Sequence, residues 1–226
     1  MARFPEPPVP TRASWLALPP EPWKNGGGVT RTLAVDPAGR WRVSIADIGR
    51  DGPYSRFPGY DRVSVVLSGE GVTLQGEGVA VPLQPSEPAV FGGDAALQST
   101  LVGGPVRVLN LFVLRGEAVA QVACTGVSPG HCEAGFLPEA AVGPREVTRL
   151  VVAADAGQAG GPPAKQAAPG AGEYLLTRRV EGPGVATPRV ATPGVATPTA
   201  THAWALASGS GFAVVLDIAV LAGGPN

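Results

Sequence analysis

Val106-Arg107-Val108-Leu109-Asn110-Leu111-Phe112-Val113-Leu114 is apolar on both parities of an extended chain, interrupted only by Arg107 and Asn110. A short run of this kind reads as a strand covered on both faces of its sheet. Upstream of it, Ala89-Val90-Phe91, Val72-Thr73-Leu74 and Asp61 to Leu67 are further β-like runs, and Ser68-Gly69-Glu70-Gly71 reads as a hairpin turn. Trp41-Arg42-Val43-Ser44-Ile45 alternates, which puts Trp41, Val43 and Ile45 on one face. Thr32-Leu33-Ala34-Val35 ends at the turn Asp36-Pro37-Ala38-Gly39, and Arg50-Asp51-Gly52-Pro53 is another break. Six or seven strands at this spacing, with no helical period, predict an all-β sandwich or barrel.

Downstream of Gly116 the signal weakens. Arg145 to Ala153, Glu173 to Val180 and Phe212 to Leu221 read as strands. Between them, Val-Ala-Thr-Pro recurs at Val185–Pro188, Val190–Pro193 and Val195–Pro198, a beat too short for a solenoid. Proline at every fifth position opposes helix and strand alike. Within the Gly/Pro-rich stretch 156–200, Val185–Pro198 is therefore read as a surface insertion without chemistry of its own.

The 226 residues suit one large domain or two small ones. Lys and Arg total 17 against 18 Asp and Glu, so no strong field steers nucleic acid or an anionic membrane. The stretch Phe212 to Ala222 carries Asp217 and is far short of the ~20 residues a membrane-spanning helix needs. Prolines at Pro5, Pro7 and Pro8 oppose a signal peptide, and Cys124 and Cys132 are the two cysteines. The expectation is a cytoplasmic chain with reduced thiols.

Much chemistry is missing. The histidines are His131 and His202, too few for a His-rich metal site. Cys124, His131 and Cys132 fit no structural-zinc spacing. Gly26-Gly27-Gly28 is not a phosphate loop, because Lys24 precedes the glycines and Val29 onward is strand-like. No Gly-x-Ser-x-Gly elbow occurs. No metal and no cofactor are expected.

Three features stand out. Trp23-Lys24-Asn25-Gly26-Gly27-Gly28-Val29-Thr30-Arg31 either presents amides and cationic heads to an anion or is a tight turn with solvated charges. Asn110, amid apolar neighbours, needs partners inside the core or on a ligand. Asp47 and Arg62 either pair with each other or leave the guanidinium to clamp a carboxylate.

Together these runs resemble the HutD/Ves family of bacterial proteins. The matching segments are Pro22 to Arg31, Trp41 to Ile48, Asp51 to Arg62, Leu67 to Gly71, Phe91 to Asp94 and Gly104 to Asn110. The resemblance implies a bicupin, two small jelly-roll β-barrels packed together. The first barrel would span residues 1–116, and a divergent second barrel 117–226 would carry the insertion. It also implies a link to histidine utilisation, with a regulator that binds a small carboxylate such as formylglutamate. No established catalysis comes with it. Two departures are visible: Val108 stands where the family pattern has Asp, and the insertion interrupts the second barrel.

On that reading a pocket in the first barrel takes its polar contacts from Lys24, Asn25 and Arg62, with Asn110 and Ser44 deeper and Gly27, Thr30 and Asp47 completing the set. The rival is a metal-independent isomerase or hydrolase acting on a small sugar or acylated amino acid, with Asp47 and Lys24 as acid/base pair. A third reading is a protein-interaction module. A homodimer is a cupin-like expectation.

Overall fold

The computed structural model describes residues 10–125, 132–136, 145–154, 169, 171–181 and 212–221. Strands β1 (Thr11–Ser14), β2 (Glu21–Pro22), β3 (Gly28–Val35), β4 (Trp41–Ile48), β5 (Gly52–Tyr54) and β6 (Tyr60–Ser68) come first. They are followed by β7 (Val72–Gly76), β8 (Val79–Leu83), β9 (Ala89–Gly92), β10 (Leu97–Leu101) and β11 (Val106–Leu114). The later strands are β12 (Ala118–Thr125), β13 (Cys132–Phe136), β14 (Arg145–Ala153), β15 (Glu173–Glu181) and β16 (Ala213–Val220). The protein is all-β: among the described residues the one helical element is a single 3-10 turn, Trp15–Ala17. No helix there is long and apolar enough to cross a membrane. The Val-Ala-Thr-Pro run, His131 and His202 lie outside the described residues.

Three sheets stack in layers. The middle one has the order β2-β3-β4-β11-β6-β9, and the run Val106–Leu114 is one of its two central strands. One face of it packs on a second six-stranded sheet, β1-β15-β14-β16-β12-β13. Val43, Ile45, Val63, Val65, Leu109 and Leu111 meet Val122, Leu150, Leu216 and Ile218 there in the main core. Its other face packs on a four-stranded sheet, β5-β10-β7-β8, where Ala46, Ile48, Val66 and Val108 meet Tyr54, Leu74, Leu83 and Leu97. This explains why Val106–Leu114 is apolar on both parities: each parity feeds a different core. Each fully buried Val, Leu or Ile stabilises by about 1.5–3 kcal/mol, so both faces contribute to holding the middle sheet.

The two six-stranded sheets repeat one arrangement. In the first half the late strand β11 inserts between β4 and β6, with β9 beyond β6; in the second, β16 inserts between β12 and β14, with β15 beyond β14. The turn that joins the halves runs through Gly116, at φ +79°. The halves are not separate in sequence, because β1 pairs with β15 in the second sheet, Thr11 opposite Leu176. Cys124 is buried and stands opposite Cys132 on β13.

Candidate functional site

The face of the middle sheet that looks at the four-stranded layer is built in rungs. Cross-strand pairing sets Thr32, Ser44, Asn110 and Ser64 in one rung. The next rung holds Arg42, Phe112, Arg62 and Phe91. On the other side of the polar rung lie Thr30, Ala46, Val108 and Val66. A strand's period of two puts all of these on one face, so the polar residues of four strands converge under β5.

Arg62 is the centre of this face. It is 4% exposed, yet no carboxylate among the described residues pairs with it. Its Nη1 donates to the Ser55 carbonyl at 3.0 Å and its Nη2 to Asn110 Oδ1 at 3.1 Å. Its Nε is buried without a hydrogen-bond partner. Four rings surround the guanidinium, with Tyr54, Phe112, Phe91 and Phe57 centroids at 4.4, 4.6, 5.1 and 5.4 Å. Burial pushes its pKa below the usual arginine range, but a guanidinium keeps its proton at neutral pH. The result is a lone buried positive charge in an aromatic box.

Asn110 Oδ1 is the hub beside it. It accepts from Tyr54 OH at 2.8 Å and Ser64 Oγ at 2.8 Å as well as from Arg62, while its Nδ2 donates to the Val108 carbonyl at 3.3 Å. A cavity of about 60 Å³ opens against these groups, with Ser44, Arg62 and Asn110 inside and Trp23, Thr30 and Arg42 toward the exposed end. Trp23 Nε1 donates to Thr30 Oγ1 at 2.8 Å and fixes the indole at that end. Arg42 Nη2 donates to Thr32 Oγ1 at 2.7 Å, and its nearest carboxylate, Glu21, stands 3.7 Å away. Among the described residues no three His, Cys, Asp or Glu groups are gathered to hold a metal ion.

The HutD family model matches residues 17–141, more than half of the chain and all of this face. The chain belongs to the HutD family. It is 40% identical over 100 residues to an uncharacterised 21.2 kDa protein in the hutC 3′ region of Pseudomonas putida, covering 42% of this chain and 53% of that one. It is 35% identical over 111 residues to Protein Ves of Citrobacter koseri, covering 46% and 58%. The chain thus spans little more than half the length of these curated relatives. Among solved structures, HutD from Pseudomonas fluorescens SBW25 (formate condition) matches with a TM-score of 0.59 and 22% identity over 96% of this chain and all of that one. A conserved protein of unknown function from Pseudomonas aeruginosa PAO1 matches at 0.61 and 22%, over 93% and 98%. At this identity the two structures speak for the fold, which runs through both halves.

Within this HutD-family fold the eight residues singled out from sequence part into three places. Arg62, Asn110, Ser44 and Thr30 line the cavity. Gly27 and Asp47 line a wider groove of about 460 Å³ with Arg50, Ser68 and Arg107. Lys24 and Asn25 are exposed and line neither space.

Asp47 faces the opposite layer. It accepts from Arg31 Nη1 at 2.8 Å and Arg107 Nε at 2.6 Å, and Arg107 stacks over Trp15 at 4.4 Å. Asp47 and Arg62 do not pair with each other, because they stand on opposite faces of the middle sheet. Of the acid/base pair in the enzyme reading, Asp47 is held by Arg31 and Arg107, and Lys24 is exposed.

The glycine run forms a tight turn. Gly26 N–H donates to the Trp23 carbonyl and Gly27 N–H to Asn25 Oδ1, both at 2.9 Å, so those amides are already used. Gly26 needs its φ of +66°, and a Cβ on Gly28 would stand 2.4 Å from the Asp47 carbonyl oxygen. Sequence reasoning missed Tyr54, Phe57 and Arg42. Arg42 shares strand parity with Ser44 and was legible on that ground. Tyr54 and Phe57 come from another layer, and no local pattern signals that they close over Arg62.

Proposed function

We propose that this chain is a bicupin that binds a small dicarboxylate of the formylglutamate type and takes part in regulating histidine utilisation without catalysing a step itself. The observation that carries this reading is Arg62, a buried guanidinium with no acidic partner among the described residues and with an idle Nε. Leaving a charge unpaired in a low-dielectric site costs several kcal/mol, and a ligand carboxylate offsets that cost through charge-assisted hydrogen bonds. A second cation supports a second carboxylate. Arg42 shares the Arg62 rung two strands away, about 10 Å at the backbone given the usual strand spacing. The cavity of about 60 Å³ takes a formyl or carboxylate end and leaves the rest of the ligand to lie past Trp23 and Thr30. The hutC-region name of the Pseudomonas putida relative gives the pathway its support.

Thermal unfolding with millimolar formylglutamate, glutamate, urocanate or histidine tests the reading. At 100 times its Kd a ligand stabilises by about 2.7 kcal/mol, a readily measured rise in Tm. Arg62→Met keeps the volume and removes the buried charge, so it is expected to fold at least as stably as the wild type and to lose the rise. No rise with formylglutamate, or a rise undiminished in Arg62→Met, would reject the proposal.

A further inference from the structure

The second half carries the same rung as the first, completed differently. On β16, at the place of β11, Asp217 stands where Asn110 stands; it is flanked by Gln121 on β12 and Arg149 on β14. Asn110 is flanked in the same way by Ser44 on β4 and Ser64 on β6. Both rungs lie on the faces that point away from the core shared by the two sheets. In the second half Arg149 is gripped bidentately by Asp217, Nε to Oδ1 and Nη2 to Oδ2, each at 2.6 Å. In the first half Arg62, two residues along β6 from Ser64, reaches a neutral amide oxygen at 3.1 Å.

We propose that the residue at this place on the central strand decides where the neighbouring arginine finds its anion: Asp217 supplies it from within the protein, and Asn110 leaves Arg62 to take it from solution. Asn110 is thus a specificity-determining residue of the Arg62 site, and the inference rests on the proposed carboxylate ligand there. The chemistry of the hub fits. The amide oxygen already accepts three hydrogen bonds, from Tyr54, Ser64 and Arg62, and a carboxylate would accept the same three. The single donor bond an aspartate would forfeit is the long one, 3.3 Å to the Val108 carbonyl. The charge is therefore the one large difference between Asn and Asp at this point. Val108, where the family pattern has Asp, is fully buried between Ala46 and Val66 and brings no carboxylate to this face.

The test is Asn110→Asp, made alone and together with Arg62→Met, with Tm measured with and without formylglutamate. The expected result has two parts. Without ligand, Asn110→Asp melts at or above the wild type, while the same change in the Arg62→Met background lowers Tm by several degrees, because its carboxylate then has no counter-ion. With ligand, Asn110→Asp needs at least tenfold more formylglutamate for the wild-type response. An Asn110→Asp protein that binds like the wild type, or that is destabilised equally in both backgrounds, overturns the inference and leaves the Arg62 ligand reading standing. If the wild type does not respond to formylglutamate while the opposite effects in the two backgrounds hold, the internal-anion rule stands and the ligand reading falls.

Discussion

Gly28 shows how one hydrogen in place of a methyl sets the site's frame. Its Cα passes so close to β4 that an added Cβ would sit 2.4 Å from the Asp47 carbonyl oxygen, a backbone atom that cannot swing aside. That contact seats β3 on β4 and so fixes Thr30 and Thr32 beside Ala46 and Ser44. Gly27 differs, since its added Cβ would meet the Asn25 side chain at 3.3 Å, on an exposed residue that can give way. Gly28→Ala is therefore expected to lower unfolding free energy by about 1–3 kcal/mol, as overpacking does, and Gly27→Ala by under about 1 kcal/mol. Urea midpoints of the two variants check this, and the reverse ranking would contradict it. The sequence showed that three glycines in a row demand explanation. It did not show which one touches what, because the opposing carbonyl comes from a strand nineteen positions downstream.

At the level of the element, the β3–β4 hairpin is closed by an ion pair between buried Asp36 and half-buried Arg40. Arg40 donates to Asp36 through Nε and Nη2, both at 2.7 Å, and the Ala38 and Arg40 amides donate to Asp36 Oδ2 at 3.1 Å. The hydrogen bonds from Arg40 lead the causes that hold the Asp36 carboxyl below its ordinary 3.8, against a desolvation that acts the other way. A carboxyl whose folded pKa is depressed adds stability that is fully present above its unfolded value and is lost as pH falls through the folded one. Asp36→Asn should thus cost about 1–3 kcal/mol at neutral pH, in line with hydrogen bonds to a charged group. The gap between variant and wild type should close as pH drops below about 4. A pH series of thermal melts reads this directly, and a gap that stays constant down to pH 2 would refute it. The turn Asp36-Pro37-Ala38-Gly39 was legible from its residues, as were β11 and β14, whose β-branched and apolar runs leave no alternative. Strand β12 was not, because Ala118-Val119-Ala120-Gln121-Val122-Ala123-Cys124-Thr125 is made largely of small residues with weak β-propensity. It is a strand because β16 and β13 pair with it on both sides, a tertiary cause that local reading cannot see.

Across the whole molecule, the two halves place their polar rungs on opposite outer faces of one shared core, with Val43, Ile45, Leu109 and Leu111 against Val122, Leu150, Leu216 and Ile218 between them. This arrangement keeps the proposed binding face apart from the ion pair of the second half. Sequence reading reached half of it: Asn110 and Arg62 stood out from their strands and Ser44 came with the family resemblance, whereas Asp217 was read only as a charge inside a greasy stretch. Its meaning required the register that sets it beside Arg149. The separation makes a last prediction. Asp217→Asn removes a bidentate carboxylate from a half-buried pair and is expected to lower unfolding free energy by about 1–3 kcal/mol. Because the Arg62 cavity lies two layers away and shares no residue with that pair, the variant's rise in Tm on adding formylglutamate should equal the wild-type rise, starting from a lower baseline. Paired melts with and without ligand measure both quantities in one experiment. A variant that keeps its stability would mean that Asp217 is no anchor for the second half. One that loses its ligand response along with its stability would mean that the halves do not act independently, and that the shared core transmits strain from one rung to the other.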